Sequence, residues 1–113
     1  MAVEPKMSPI LSQGKVGIHK IQGIGAGFIP KIMDVKLIDE IITITNEEAF
    51  DAARKLVKIE GVLCGISSGA NIAAAIKIAS EKENQGKKIV TIIADTGERY
   101  LSTSLFNTTE DEQ

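Results

Sequence analysis

The sequence predicts an α/β chain, and three observations carry that prediction. Ile41-Ile42-Thr43-Ile44-Thr45 is a β-branched run that reads as a buried strand. Two stretches follow in which apolar residues recur at three- and four-residue steps, as on helices. Finally, Ile89-Val90-Thr91-Ile92-Ile93-Ala94 is apolar on both faces, as central parallel strands are. The order strand, helix, short strand, helix, strand implies a mostly parallel sheet flanked by helices, with right-handed crossovers.

Taken in order, Ala2-Val3 reads as the end of a strand. Pro5, Ser8, Pro9, Ser12 and Gly14 then make the first fifteen residues an extended segment broken by turns. Glycines at 23, 25 and 27 give the next segment a backbone able to take positive φ and to approach a ligand closely. Their spacing is G-x-G-x-G, and no helix follows before Pro30, so a dinucleotide-binding turn is not predicted. An ordinary loop and a ligand-contacting loop both stay open. Thr45 and Glu48 form a capping box that starts a helix over Asn46–Glu60, with Ala49, Phe50, Ala53, Leu56 and Val57 inward and Gly61 as its stop. Val62 to Ile66 is a very short strand or turn. A second helix is predicted from Ala70 to about Glu83, with Ile72, Ala73, Ile76 and Ala79 on one face and many alanines that imply close packing. The acidic end, 108–113, is expected to fray as a solvated tail.

Composition narrows the function classes. With 113 residues the chain has room for one domain, and 43% apolar residues suffice for a core. Thirteen Lys+Arg against fifteen Asp+Glu argue against a basic nucleic-acid face. One cysteine excludes an internal disulfide framework and a multi-cysteine metal site. Cys64 reads as a small buried hydrophobe, because no charge lies within three positions to activate it. The N-terminus lacks the pattern of a signal peptide, and no run reaches the ~18 apolar residues of a membrane span, so the expected compartment is the cytoplasm, with no membrane partner. A single histidine, His19, limits acid–base chemistry and rules out a His-rich metal site.

Gly65-Ile66-Ser67-Ser68-Gly69 matches G-x-S-x-G at a predicted strand-to-helix turn, the setting of a hydrolase nucleophile. No histidine follows Ser67, so hydrolysis would need a convergent grouping of His19, Ser67 and Asp95. Alternatively, Ser67 and Ser68 cap the alanine-rich helix. A third reading is a neutral hydroxyl, at a strand end beside a helix N-terminus, that bonds a ring nitrogen without imposing charge on it. Physical chemistry allows all three.

Five segments stand out together: Ala2-Val3-Glu4-Pro5, Ser8-Pro9-Ile10-Leu11-Ser12, the run from His19 to Pro30, Gly65-Ile66-Ser67-Ser68-Gly69-Ala70, and Gly97-Glu98-Arg99-Tyr100-Leu101-Ser102-Thr103. Taken together they resemble the C-terminal part of the cysteine synthase (O-acetylserine sulfhydrylase) family, fold type II pyridoxal-phosphate enzymes. Their order and spacing cover residues 2 to about 106. The resemblance implies a single partial domain over 1–113, the C-terminal half of the large domain of such an enzyme.

By the same resemblance, Ser67 bonds the pyridine nitrogen of pyridoxal 5'-phosphate, and Ser68, Asp95 and Thr96 lie near the ring. Gly23, Gly25 and Ala26 line the substrate side. Lys15, His19 and Lys20 sit at the mouth, where the family receives the C-terminal tail of serine acetyltransferase. Val16 and Ile18 stand where the family commonly has prolines, which makes that loop less rigid. The implied activity is synthesis of L-cysteine from O-acetylserine and sulfide by β-replacement, in a homodimeric parent. The family's Schiff-base lysine and phosphate loop have no counterpart among these residues, so the chain alone is expected to bind the cofactor weakly and not to catalyse. The alternatives are a cystathionine β-synthase-like enzyme and a non-enzymatic module that binds serine acetyltransferase.

Overall fold

The computed structural model describes residues 1–98, 101, 102 and 105. Five principal elements form: β1 (Ala2–Pro5), α1 (Ile10–Gln13), β2 (Ile41–Ile44), α2 (Asn46–Glu60) and α3 (Ile66–Ala79). Short 3-10 turns occupy Val35–Leu37 and Lys82–Asn84. β1 and β2 pair in parallel, Ala2 opposite Ile41 through Pro5 opposite Ile44. The architecture is therefore α/β, with α3 packed on a parallel pair and α2 packed on α3. The expected tail at 108–113, and Arg99, Tyr100 and Thr103 of the C-terminal motif, lie outside the described residues.

α2 forms where its sequence places it. The Thr45 hydroxyl accepts from the Glu48 N–H at 3.1 Å, and the Glu48 carboxylate accepts from the Thr45 N–H at 2.8 Å, so two orphan donors are satisfied reciprocally. Gly61, at φ 68°, closes the other end by donating to the last carbonyls. Ala49, Ala52 and Ala53 are buried, while Phe50, Leu56 and Val57 are only half-buried.

α3 differs from expectation at both ends. It begins at Ile66, after an extended Gly65, so Ser67, Ser68 and Gly69 lie in its first turn instead of before it. No side chain caps that end, which corrects the reading of the two serines as caps. It stops at Ala79, where the Ser80 hydroxyl donates to Ile76 and the Asn84 amide to Ile78. The buried face is also different: Ala70, Ala74 and Ile78 turn inward, whereas Ile76 is 57% exposed. A helix apolar all round carries no periodicity to choose its face, so close approach decides. At Gly69 an added Cβ would stand 2.2 Å from the Ala49 carbonyl oxygen and 2.9 Å from the Ala53 side chain.

Three further expectations are corrected. The segment before residue 15 holds a helical turn, closed by Gly14 at φ 66°. β2 is half-buried, with Ile44 alone sealed. Residues 89–94 form no strand, because strand geometry needs a hydrogen-bonded neighbour and no described strand lies alongside; Val90 is 90% exposed. Residues 62–66 reduce to one antiparallel bridge, Cys64 with Thr96. The core gathers Ile21, Ile44, Ala49, Ala53, Cys64, Ile66, Ala70, Ala74 and Leu105 between the sheet and the two helices.

Two predictions follow from this packing. Gly69→Ala gains intrinsic helix propensity but drives a methyl into backbone, so a net loss of about 1–3 kcal/mol in urea unfolding is expected. Burial pushes the Glu48 carboxyl up, but its hydrogen bond to Lys77 and those at Thr45 outweigh this, and its pKa lies below the ordinary 4.5. A folded-state pKa below the unfolded one contributes stability above the unfolded value and loses it as pH falls through the folded value. The urea midpoint of Lys77→Met should therefore trail the parent chain at neutral pH and converge with it in acid.

Candidate functional site

The site is assembled from the glycine loop, the first turn of α3 and residues 94–96. The loop is held from several sides. The Gly17 N–H donates to the Ser8 hydroxyl at 3.3 Å and the Lys20 N–H to the Asn46 side chain at 3.0 Å, while Ile21 is fully buried. His19 ties the loop to itself. Its Nδ1 accepts from the Ile21 N–H at 3.1 Å, which puts the ring proton on Nε2, and Nε2 donates to the Gly25 carbonyl at 3.0 Å. Gly25 needs to be glycine twice over: φ is 64°, and a Cβ would lie 2.6 Å from both His19 Nε2 and the Pro5 ring. Gly23, at φ 97°, brings bare backbone against Ser67, whose hydroxyl would be 3.4 Å from a Cβ there.

Ser67 and Ser68 are adjacent and differently employed. The fully buried Ser68 hydroxyl donates to Asp95 Oδ1 at 2.8 Å and accepts from the Ala94 N–H at 3.0 Å and the Asp95 N–H at 3.4 Å, so its capacity is filled. Asp95 Oδ1 also accepts from the Gly65 N–H at 3.2 Å. A negative group there suits the positive end of α3. The Ser67 hydroxyl has no hydrogen-bond partner among the described residues, although the residue is only 7% exposed. Thr96 is exposed, and its hydroxyl accepts from the Glu98 N–H.

The structure thus brings Ser67, Ser68, Asp95 and Thr96 to one place and lays Gly23 against them. Gly25 and Ala26 lie farther along the same loop, where they line a cavity of about 290 Å3 with Glu4, Leu11, Phe28 and Met33. A larger concavity, about 460 Å3 between the outer faces of α2 and α3, contains none of these residues. Of the three basic residues at the loop's start, Lys15 and Lys20 are exposed and His19 is half-buried, with both ring nitrogens engaged. No Ser-His-Asp relay forms, since His19 bonds its own loop and Asp95 bonds Ser68 and Gly65. The Cys64 thiol is fully buried; burial first, and the Asp95 carboxylate second, push its pKa up, so it stays protonated.

Sequence reasoning passed over Glu4 as a site residue. Its carboxylate, 3% exposed, accepts from the Leu11 N–H at 2.8 Å and from the Ser12 N–H and hydroxyl at 3.0 and 2.5 Å. It caps α1 from a distance and fixes one wall of the 290 Å3 cavity. The available signal was an acid inside a strand, a position that demands donors if it is buried.

Residues 1–95 match a family model described as pyridoxal-phosphate dependent enzyme. The chain is 57% identical over 113 residues to cysteine synthase of Buchnera aphidicola subsp. Schizaphis graminum, an alignment that takes in 95% of this chain and 35% of that protein. It is 54% identical over 112 residues to cysteine synthase A of Escherichia coli K12, covering 94% of this chain and 35% of the relative. A crystal structure of cysteine synthase from Entamoeba histolytica is similar with a TM-score of 0.92 and 50% identity, over 96% of this chain and 32% of the other. The chain spans about a third of the length of the relatives it matches.

Ser68→Ala strips the Asp95 carboxylate and two N–H groups of their shared partner, and a loss of about 1–3 kcal/mol in denaturant unfolding is expected.

Proposed function

The chain belongs to the pyridoxal-phosphate dependent enzyme family, and on that premise we propose that it forms part of a cysteine synthase, which makes L-cysteine from O-acetylserine and sulfide. The observation that carries this reading is the Ser67 hydroxyl, which makes no hydrogen bond among the described residues and reaches solvent from the first turn of α3 beside the bare backbone of Gly23. Such a group fits the nitrogen of a pyridine ring. Pyridoxal phosphate, when bound, supplies an electron sink that lets a leaving group depart from the β-carbon of an amino acid.

This chain's own residues supply position and polarity. Ser67 offers the ring nitrogen a neutral hydrogen bond, and a neutral partner leaves that nitrogen largely unprotonated, which suits β-replacement over transamination. Ser68 and Asp95 hold the turn that displays Ser67, and Thr96, bridged to Cys64, follows directly on Asp95. Backbone groups of Gly23, Gly25 and Ala26 shape the O-acetylserine side. Lys15 and Lys20 present positive charge at the mouth, suited to the acidic C-terminal tail of a serine acetyltransferase, and His19 fixes the loop that bears them. The assembled enzyme is a cytoplasmic homodimer in this reading. The chain alone does not turn over, because the Schiff-base lysine and the phosphate cradle come from polypeptide that it does not span.

In the assembled enzyme, Ser67→Asp should cut cysteine formation by about tenfold or more, the worth of one hydrogen bond, while the absorbance of bound cofactor persists. An unchanged rate would remove Ser67 from the mechanism. With sulfide and homocysteine offered in turn, preference for sulfide is expected, and preference for homocysteine would reassign the acceptor.

A further inference from the structure

We propose that Met7 is an oxidation site, at which a peroxide converts the thioether to a sulfoxide and thereby frees the loop that carries Lys20. The inference does not depend on which reaction the assembled enzyme performs.

The chain has three methionines, and Met7 combines access with connection. It lies in the turn after β1 and is 57% exposed, against 38% for Met33. Its main chain is fixed on both sides. The Lys6 N–H donates to the Ile44 carbonyl at 2.9 Å, and the Ser8 N–H to the Pro5 carbonyl at 3.1 Å. The Met7 carbonyl oxygen packs so closely on Gly17 that a Cβ there would stand 2.1 Å from it. The turn therefore holds the sulfur at a set place, between the start of α2 and the loop. There the Met7 Sδ accepts from Asn46 Nδ2 at 3.3 Å.

Asn46 couples that sulfur to the loop. Its Oδ1 accepts from the Lys20 N–H at 3.0 Å while its Nδ2 donates to Met7. A thioether can only accept and a backbone N–H can only donate, so the carboxamide has one workable orientation. Nδ2 and Oδ1 are two ends of a rigid plane, and a shift at one end moves the other. Lys20 stands between His19, whose ring holds Gly25, and the fully buried Ile21. The carboxamide is thus a clip at the point where the glycine loop is tied to α2.

Oxidation changes what the clip grips. A lone pair of the sulfur attacks one oxygen of hydrogen peroxide, and the S–O bond forms as the O–O bond breaks. The departing hydroxide takes the proton of the transferred hydroxyl and leaves as water. Sulfur gives up the two electrons that the peroxide gains. The product replaces a weak sulfur acceptor by a strong oxygen acceptor one bond farther out. The Asn46 amide follows that oxygen, and the planar group draws Oδ1 off the Lys20 N–H.

The test treats the assembled enzyme with hydrogen peroxide, follows each methionine by peptide mass, and measures amide hydrogen exchange over residues 15–21. Met7 should convert several-fold faster than Met33. Exchange at the Lys20 amide should then rise about fivefold, the worth of one hydrogen bond, and methionine sulfoxide reductase should restore it. Met7→Leu should show no response to peroxide in this segment. Asn46→Ala should exchange fast from the start, oxidise at Met7 as before, and gain nothing further. Met7 converting no faster than Met33 overturns the site. Unchanged exchange over 15–21 once Met7 is a sulfoxide, or a response to peroxide that survives in Met7→Leu, overturns its coupling to the loop.

Discussion

The hydroxyl of Ser68 holds the first turn of α3 to a stretch of chain 26 and 27 residues away, through one donated and two accepted hydrogen bonds. Gly65 completes the knot. It gives the Asp95 carboxylate a further donor, and it leaves vacant the volume where a Cβ would stand 2.2 Å from a carboxylate oxygen. These bonds saturate Ser68, whereas the neighbouring serine lies beside Gly23 and makes no hydrogen bond among the described residues. The pairing of a satisfied serine with an unsatisfied one, one residue apart, gives the site both its rigidity and its spare hydrogen-bonding capacity. Burial, seconded by the same carboxylate, keeps Cys64 protonated, which removes a nucleophile from the vicinity.

A second constraint is volume. The buried contact between α2 and α3 sets Gly69 against Ala49 and Ala53, residues that release little apolar area but permit backbone-to-backbone approach. Many of the large apolar side chains stand outside: Ile18 and Ile32 are more than nine-tenths exposed, and Phe28 is 62% exposed. Dispersion and hydrophobic gain are thus concentrated in a thin layer between sheet and helices. Much of the apolar surface left over belongs to the loop and to residues 90–93.

Local signals were legible wherever the chain interacts with its near neighbours. Thr45 with Glu48, and Gly61 at the other end, mark α2 because a capping box and a left-handed glycine are decided within four residues. The alternate glycines marked a loop whose backbone takes positive φ at 23, 25 and 27. Four things were hidden because they depend on distant partners. Ser67 and Ser68 look alike in sequence, and only Asp95 and Ala94 distinguish them. The buried face of α3 could not be read from a helix that is apolar all round. Residues 89–94 carry a strand's composition without a strand's neighbour. Glu4 was missed for the same reason, since its donors come from a helical turn seven and eight residues on.

The parallel pairing of β1 with β2 sets the order in which structure accumulates. α2 and α3 are neighbours in sequence, joined by residues 61–65, so their contact closes a short loop on the microsecond scale. β1 can pair with β2 only after a connection from Lys6 to Glu40 has been drawn in, and that entropy is spent before any ladder bond repays it. Helix docking therefore precedes strand pairing, and changes within β1 fall chiefly on the unfolding arm of a chevron. The glycine loop lies inside that late-closing connection, so the pocket acquires its shape last, after the helix that displays Ser67 is already in place.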